Sequence, residues 1–219
     1  MVVVLVATGS WIVEDGTERP TDVPLLVADG VRDDFTRAES PAPLGDTRTG
    51  QSWDEVSGAW EVRDGVARVV ERNDLGTRTV AVADLGASDG AVSVTAASMV
   101  NGFGVVFRFQ DAFNYWLVVA SPDYGSWRLQ RLDEGRIVEL GGIGLAPSVD
   151  GSTVEVRFEG RTITVFVDGL ERREVVDDAL LDATNVGLLA EGAGSTEAAW
   201  DDFVGVPVET PSSTSLAGS

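Results

Sequence analysis

The chain has 219 residues, with 36 acidic against 16 basic side chains, a net charge of -20, and neither cysteine nor histidine. This balance leaves no basic stripe to neutralise phosphates or to lie on an anionic membrane surface, which argues against nucleic acid and membrane as partners. Without Cys and His there are no thiol nucleophiles, disulfides, Ser-His-Asp triads or imidazole and thiolate zinc sites, so only carboxylate chemistry and oxygen-liganded metals remain.

The first 32 residues carry two apolar runs, Val2 to Val6 and Val23 to Val27. No cation precedes the first run and polar residues follow it closely, so it reads as a strand and not as a secretory leader. Trp11, Ile12 and Val13 form an aromatic-aliphatic step suited to anchoring in a partner subunit, or to folding back on the chain's own domain. Residues 1 to 32 are therefore expected to be an assembly arm. No run approaches the roughly 20 apolar residues of a membrane helix.

From Trp60 onward, short alternating runs are broken by turn residues, the pattern of an antiparallel sandwich. Asp64-Gly65 closes a hairpin between Trp60-Glu61-Val62 and Val66-Ala67-Arg68. Strands are predicted at 79–83, 92–97, 105–110, 115–120, 127–132 and 137–140. In Thr153 to Glu159, Val154, Val156 and Phe158 alternate with charged residues; Ile163, Val165 and Val167 form the next apolar row, and Asp168-Gly169 supplies its turn. A helical turn is expected near Asp178 to Asp182, then strands at 185–190 and 200–206, then a polar tail from 207 to 219. All cations are Arg, which suggests a GC-rich coding genome.

Period-two arithmetic yields a candidate site. With Asp111 to Asn114 as a four-residue loop, Gln110 pairs with Tyr115, and Ala120 lies opposite Trp127. Arg108, Gln110, Tyr115, Arg128 and Gln130 then share one face, while Phe107, Phe109, Trp116, Val118, Ala120, Trp127 and Leu129 share the other, a core row. The polar face has the planar donors, amide and ring of a sugar platform, with Tyr124 adding an edge from its loop; it is equally the solvated face of an antiparallel sheet. A one-residue bulge would swap these assignments. Trp53, Trp60 and Trp200 read as packing residues and not as a stacking set. Asp111, Asp123, Asp133 and Glu134 are the candidates for two-carboxylate glycoside hydrolysis, but they fall at turn positions. The glycines at 141, 142 and 144 read as a turn or bulge.

The segments Asp33-Asp34-Phe35-Thr36-Arg37-Ala38, Thr49-Gly50-Gln51-Ser52-Trp53, Gly104 to Arg108 with Asn114-Tyr115-Trp116, and the closing Trp200-Asp201-Asp202-Phe203 together resemble concanavalin A-like (laminin G-like) jelly-roll domains, of the kind found in actinobacteriophage minor tail proteins and actinobacterial secreted proteins. The resemblance covers residues 32 to 206 and implies a jelly-roll β-sandwich over 33 to 206. It implies a non-enzymatic virion component, a minor tail or decoration protein, with other virion proteins, further copies of the chain and a host surface glycan as partners. A secreted bacterial carbohydrate-binding module and a carboxylate glycosidase are the alternatives. The family's first and last strands often lie side by side, which would bring Asp33 and Asp34 near Asp201 and Asp202. A structural calcium ion would relieve their repulsion, as would side chains turned to water on separate faces.

Overall fold

The computed structural model describes residues 30–38, 43–72, 78–144 and 146–208. The arm residues Trp11, Ile12 and Val13 and most of the polar tail lie outside them. Among the described residues, fifteen strands form two antiparallel sheets, with one 3-10 turn between β8 and β9, another between β14 and β15, and no α-helix. In chain order the strands are β1 (Val31–Asp33), β2 (Asp54–Ser57), β3 (Ala59–Arg63), β4 (Val66–Glu71), β5 (Arg78–Asp84), β6 (Gly90–Ser98), β7 (Phe103–Asp111), β8 (Asn114–Ser121), β9 (Ser126–Asp133), β10 (Arg136–Gly144), β11 (Thr153–Glu159), β12 (Thr162–Val167), β13 (Leu170–Val176), β14 (Asn185–Glu191) and β15 (Ala199–Pro207).

One sheet has eight strands in the order β13-β12-β11-β6-β15-β4-β3, with β1 paired to β15; the other has seven, in the order β10-β9-β8-β7-β14-β5-β2. First and last strands are neighbours, Val31 opposite Gly205 and Asp33 opposite Phe203, as the family pattern implies. The sandwich therefore takes in Val31 and Arg32, two residues that the sequence reading assigned to the arm. The Asp-Gly hairpins form with Asp64 and Asp168 at φ 56° and 51° ahead of their glycines, the conformation that tight hairpin turns require. The segment 178–182 forms a turn instead of a helix, with Leu180 at φ 59°. A register shift between Glu139 and Gly141 marks the glycine-rich segment as a bulged strand.

The core between the sheets is a chain of rings. Trp60 and Trp200 lie 5.1 Å apart, Trp200 and Phe103 5.2 Å, and Phe107 meets both Trp116 at 5.8 Å and Phe158 at 5.4 Å. Large rings supply most area per residue, and full burial of one apolar side chain contributes about 1.5–3 kcal/mol. Buried indole N–H groups find acceptors: Trp200 donates to the Gly104 carbonyl across the sandwich at 3.0 Å, and Trp127 to the Pro147 carbonyl at 2.8 Å.

Candidate functional site

The sugar platform read from the sequence comes apart at Arg108. Asp111 pairs with Asn114 and Phe107 with Trp116, so β7 carries three residues between these pairs where β8 carries one. Arg108 takes up the excess in the left-handed region, at φ 45°. Such a bulge reverses the alternation beyond it. Phe109 thus leaves the core row and stacks on Tyr115 at 5.2 Å on the sheet's outer face, while Arg108 turns inward and is 0% exposed. Its guanidinium bonds Asp89 at 3.0 Å, the Gly160 carbonyl at 2.6 Å and the Ser88 carbonyl at 3.3 Å, and lies over the Phe158 ring. Burial pushes its pKa down, and Asp89 pulls it back up. Arg108 is a cross-sheet tie with no face toward a ligand.

The rest of the set also separates. Ala120 does pair with Trp127, so Tyr115, Arg128 and Gln130 share the outer face as expected. Tyr115 and Gln130 are buried there among Val106, Leu117, Val119 and Leu189, and Gln130 donates to Glu139 at 2.6 Å. Burial raises the Tyr115 hydroxyl pKa, with Arg78 acting against the shift. Gln110 is exposed near the hairpin tip, at the far end of the β7–β8 pair from Tyr124.

Two of the six, Tyr124 and Arg128, come together in a cleft of about 800 Å³ at one end of the sandwich. Three loops build it: residues 99–102 after β6, 121–126 between β8 and β9, and 191–197 after β14. Pro122 starts a 3-10 turn, and Gly125, left-handed at φ 54°, ends it by donating its N–H to the Pro122 carbonyl at 2.9 Å. That turn holds Tyr124 at its tip, 83% exposed. Asn101 clamps the turn by donating to the Asp123 carboxylate. Gly102 abuts β14's last residue so closely that a Cβ would sit 1.8 Å from the Glu191 carbonyl oxygen, so only glycine fits. Glu191 accepts from Arg78 at 3.0 Å and from Arg128 at 3.5 Å, fixing Arg128 along the cleft wall. The cleft thus offers an exposed ring, a guanidinium, an amide and the carboxylates Asp123, Glu191 and Glu197.

The other candidate carboxylates lie elsewhere. Asp111, Asp133 and Glu134 sit at hairpin tips at the opposite end of β8 and β9. Asp111 accepts from the Phe113 N–H at 2.7 Å and Glu134 has φ 49°, the turn duties expected of them.

The four aspartates do not assemble a calcium site as read from the sequence. Asp33 is 1% exposed, and its oxygens are taken by the Phe35 N–H at 3.0 Å, Arg37 at 2.6 Å and the Trp53 indole at 2.8 Å. Hydrogen bonding from the Thr36 hydroxyl and then from its N–H, with a smaller contribution from Arg48 at 3.0 Å, holds the Asp34 pKa below the ordinary range. Among the described residues no group of three or more Asp, Glu, His or Cys is placed to hold a metal ion. Asp201 remains close to like charge: desolvation first, then Asp202 and Asp34, push its pKa up.

No family model and no curated protein matches the sequence. Among solved structures, the chain is similar to the carbohydrate binding module CBM66 from Bacillus subtilis, at 15% identity and TM-score 0.56, over 72% of this chain and 95% of that one. It is similar to LamAcat from Zobellia galactanivorans at 12% identity and TM-score 0.51, over 81% and 96%. The GH43 protein BlXynB from Bacillus licheniformis matches at 14% identity and TM-score 0.56, over 81% of this chain and 39% of that one. At these identities the likeness is one of fold: the chain is an all-β, antiparallel jelly-roll sandwich of the concanavalin A-like kind.

Proposed function

We propose that the chain is a non-catalytic carbohydrate-binding sandwich that takes a glycan in the loop-end cleft, with Tyr124 as stacking platform and Arg128 and Asn101 as polar contacts. The observation that carries this reading is the Tyr124 ring, 83% exposed on a turn held rigid by Pro122, Gly125 and Asn101. A ring held rigidly in water is preorganised for the apolar face of a sugar. Three cleft carboxylates against one arginine, on a chain of net charge -20, favour neutral or amino sugars over uronic acids and sulfated glycans. The fold shared with a carbohydrate-binding module supports the reading.

The setting proposed is the surface of a virion, as a minor tail or decoration component, a reading that rests on the sequence resemblance; finding the chain in purified particles is its test. For the site, binding to arrays of bacterial wall glycans is the measurement. Tyr124→Ala should weaken binding about tenfold, as loss of one stacked ring implies, without changing the melting temperature. Unchanged binding by Tyr124→Ala would place the glycan elsewhere. Release of reducing sugar by the native chain, abolished in Asp123→Asn or Glu197→Gln, would replace binding with hydrolysis.

A further inference from the structure

Of the four asparagines in the chain, one is followed by glycine: Asn101, before Gly102. An Asn-Gly pair is the least hindered sequence for attack of a backbone nitrogen on the preceding side-chain amide, because glycine carries no Cβ to keep the two apart. In this fold the pair stands at the contact that pins the Tyr124 turn. The Asn101 amide donates to the Asp123 carboxylate, and its oxygen accepts from the Asp123 N–H at 3.5 Å. The next residue is held from both sides: the Gly102 N–H donates to the Ala120 carbonyl at 3.0 Å, and the Gly102 carbonyl accepts from the Glu191 N–H at 2.9 Å. Asn101 itself is exposed, so water reaches it.

We propose that Asn101 is a deamidation site, and that its conversion to an acid releases the Tyr124 turn. The Gly102 nitrogen gives up its proton and bonds to Cγ of Asn101. The Cγ–Nδ2 bond breaks, and ammonia leaves with that proton. Water then opens the cyclic imide at either carbonyl, giving aspartate or isoaspartate; nothing but water is consumed. Two features of the fold set the rate. The Ala120 carbonyl holds the proton that the Gly102 nitrogen must lose, and Asp123 holds the amide that must turn toward that nitrogen, so the reaction waits on an opening of this contact. The product changes the contact permanently. A donor facing Asp123 becomes a second carboxylate, so a charge-assisted bond is lost and like charges are left opposite each other. The turn then keeps its Pro122–Gly125 bond and the Ala146 N–H bond to the Gly125 carbonyl at 3.3 Å, but loses its side-chain tie to the 99–102 loop. The inference concerns one wall of the proposed glycan cleft but is independent of that reading, and its test uses no glycan.

The full chain is held at mildly alkaline pH and followed by peptide mass and isoaspartate content. Asn101 should convert more slowly in the native chain than in the urea-unfolded chain, and about tenfold faster in Asp123→Ala than in the native chain, the gain in opening that loss of one charge-assisted hydrogen bond gives. An Asp123→Ala chain that converts no faster than the native one would overturn the proposal. The consequence is read by hydrogen exchange. In Asn101→Asp, the amides of residues 121–126 should exchange about tenfold faster than in the native chain. Combining Asn101→Asp with Asp123→Asn merely exchanges donor and carboxylate, and should restore slow exchange. Unchanged exchange in Asn101→Asp, or equally fast exchange in the double variant, would overturn release of the turn by like charge.

Discussion

In the eight-stranded sheet, β6, β11 and β12 bury every second side chain and leave the others at least partly in water, whereas in the seven-stranded sheet β5, β7, β8 and β14 are buried along nearly their whole length. The sequence shows the same contrast. Glu155, Arg157 and Glu159 interleave the apolar row of β11, while β8 runs Trp116-Leu117-Val118-Val119-Ala120 without interruption. Clean alternation marks a sheet with one wet face, and a continuous apolar run marks one buried on both. The face of this sandwich with a conventional solvated surface is therefore not the face on which the sugar platform was expected. The two sheets share one device: each has a bulge with a non-glycine residue in the left-handed region, Arg108 at φ 45° in β7 and Asp202 at φ 50° in β15. The outcomes differ, since Arg108 is tied into the opposite sheet while Asp201, beside the second bulge, is left facing the like charges of Asp202 and Asp34.

The first test falls at the tie between the sheets. Arg108→Ala removes the guanidinium that meets Asp89, Gly160 and Ser88 and leaves these acceptors without their partner. Loss of one member of a fully buried pair costs about 3–5 kcal/mol; with Asp89 partly in water, about 2–3 kcal/mol is expected here, to be read from urea unfolding at neutral pH. A loss below about 1 kcal/mol, within the range of exposed ion pairs, would mean that the two sheets hold together without it.

A second test sets the outer faces against each other. Leu117→Ala on the seven-stranded sheet should cost about 2–5 kcal/mol, as truncation in a packed core does. Thr164→Ala, at a half-exposed position on the outer face of the eight-stranded sheet, should stay within about 1 kcal/mol. Similar losses at both positions would remove the distinction between a one-faced and a two-faced sheet.

The strands were legible in the sequence wherever an apolar row or an Asp-Gly turn marked them, which is most of the sandwich. Three were not. β1 and β2 are short, and β13, reading Leu-Glu-Arg-Arg-Glu-Val-Val, is an exposed edge strand with no buried row to betray its period. The platform was misread because nothing about an arginine announces a positive φ; one residue in that region moved Phe109 outward and Arg108 inward. The residues that did announce the buried outer face, Leu117, Val119, Val80 and Val82, stand in plain view within runs too apolar for a solvated surface. Tyr124, Arg128 and Asp123 were all singled out from the sequence, but the rest of their company was not: Asn101 and Glu191 come from two other loops that only the topology brings together.

The smallest effect expected lies at the second bulge, and it is the most diagnostic in sign. Desolvation and the neighbouring carboxylates of Asp202 and Asp34 raise the pKa of Asp201 in the folded chain. Between its unfolded value, about 3.9, and that raised value, the folded state binds more protons than the unfolded one, so stability falls as pH rises through this window. At neutral pH the ionised Asp201 is a net cost. Asp201→Asn cannot ionise, yet keeps an oxygen to accept the Asp202 N–H, now bonded at 2.8 Å. It should stabilise the chain at pH 7 by about 0.5 kcal/mol, the scale of surface charge pairs. The gain should vanish near pH 3, where the native carboxyl is protonated in both states. Paired urea titrations at the two pH values give the answer. A variant less stable at pH 7 would show that Asp201 has a partner for its charge, and the two bulges would then be alike in satisfying the residues they turn.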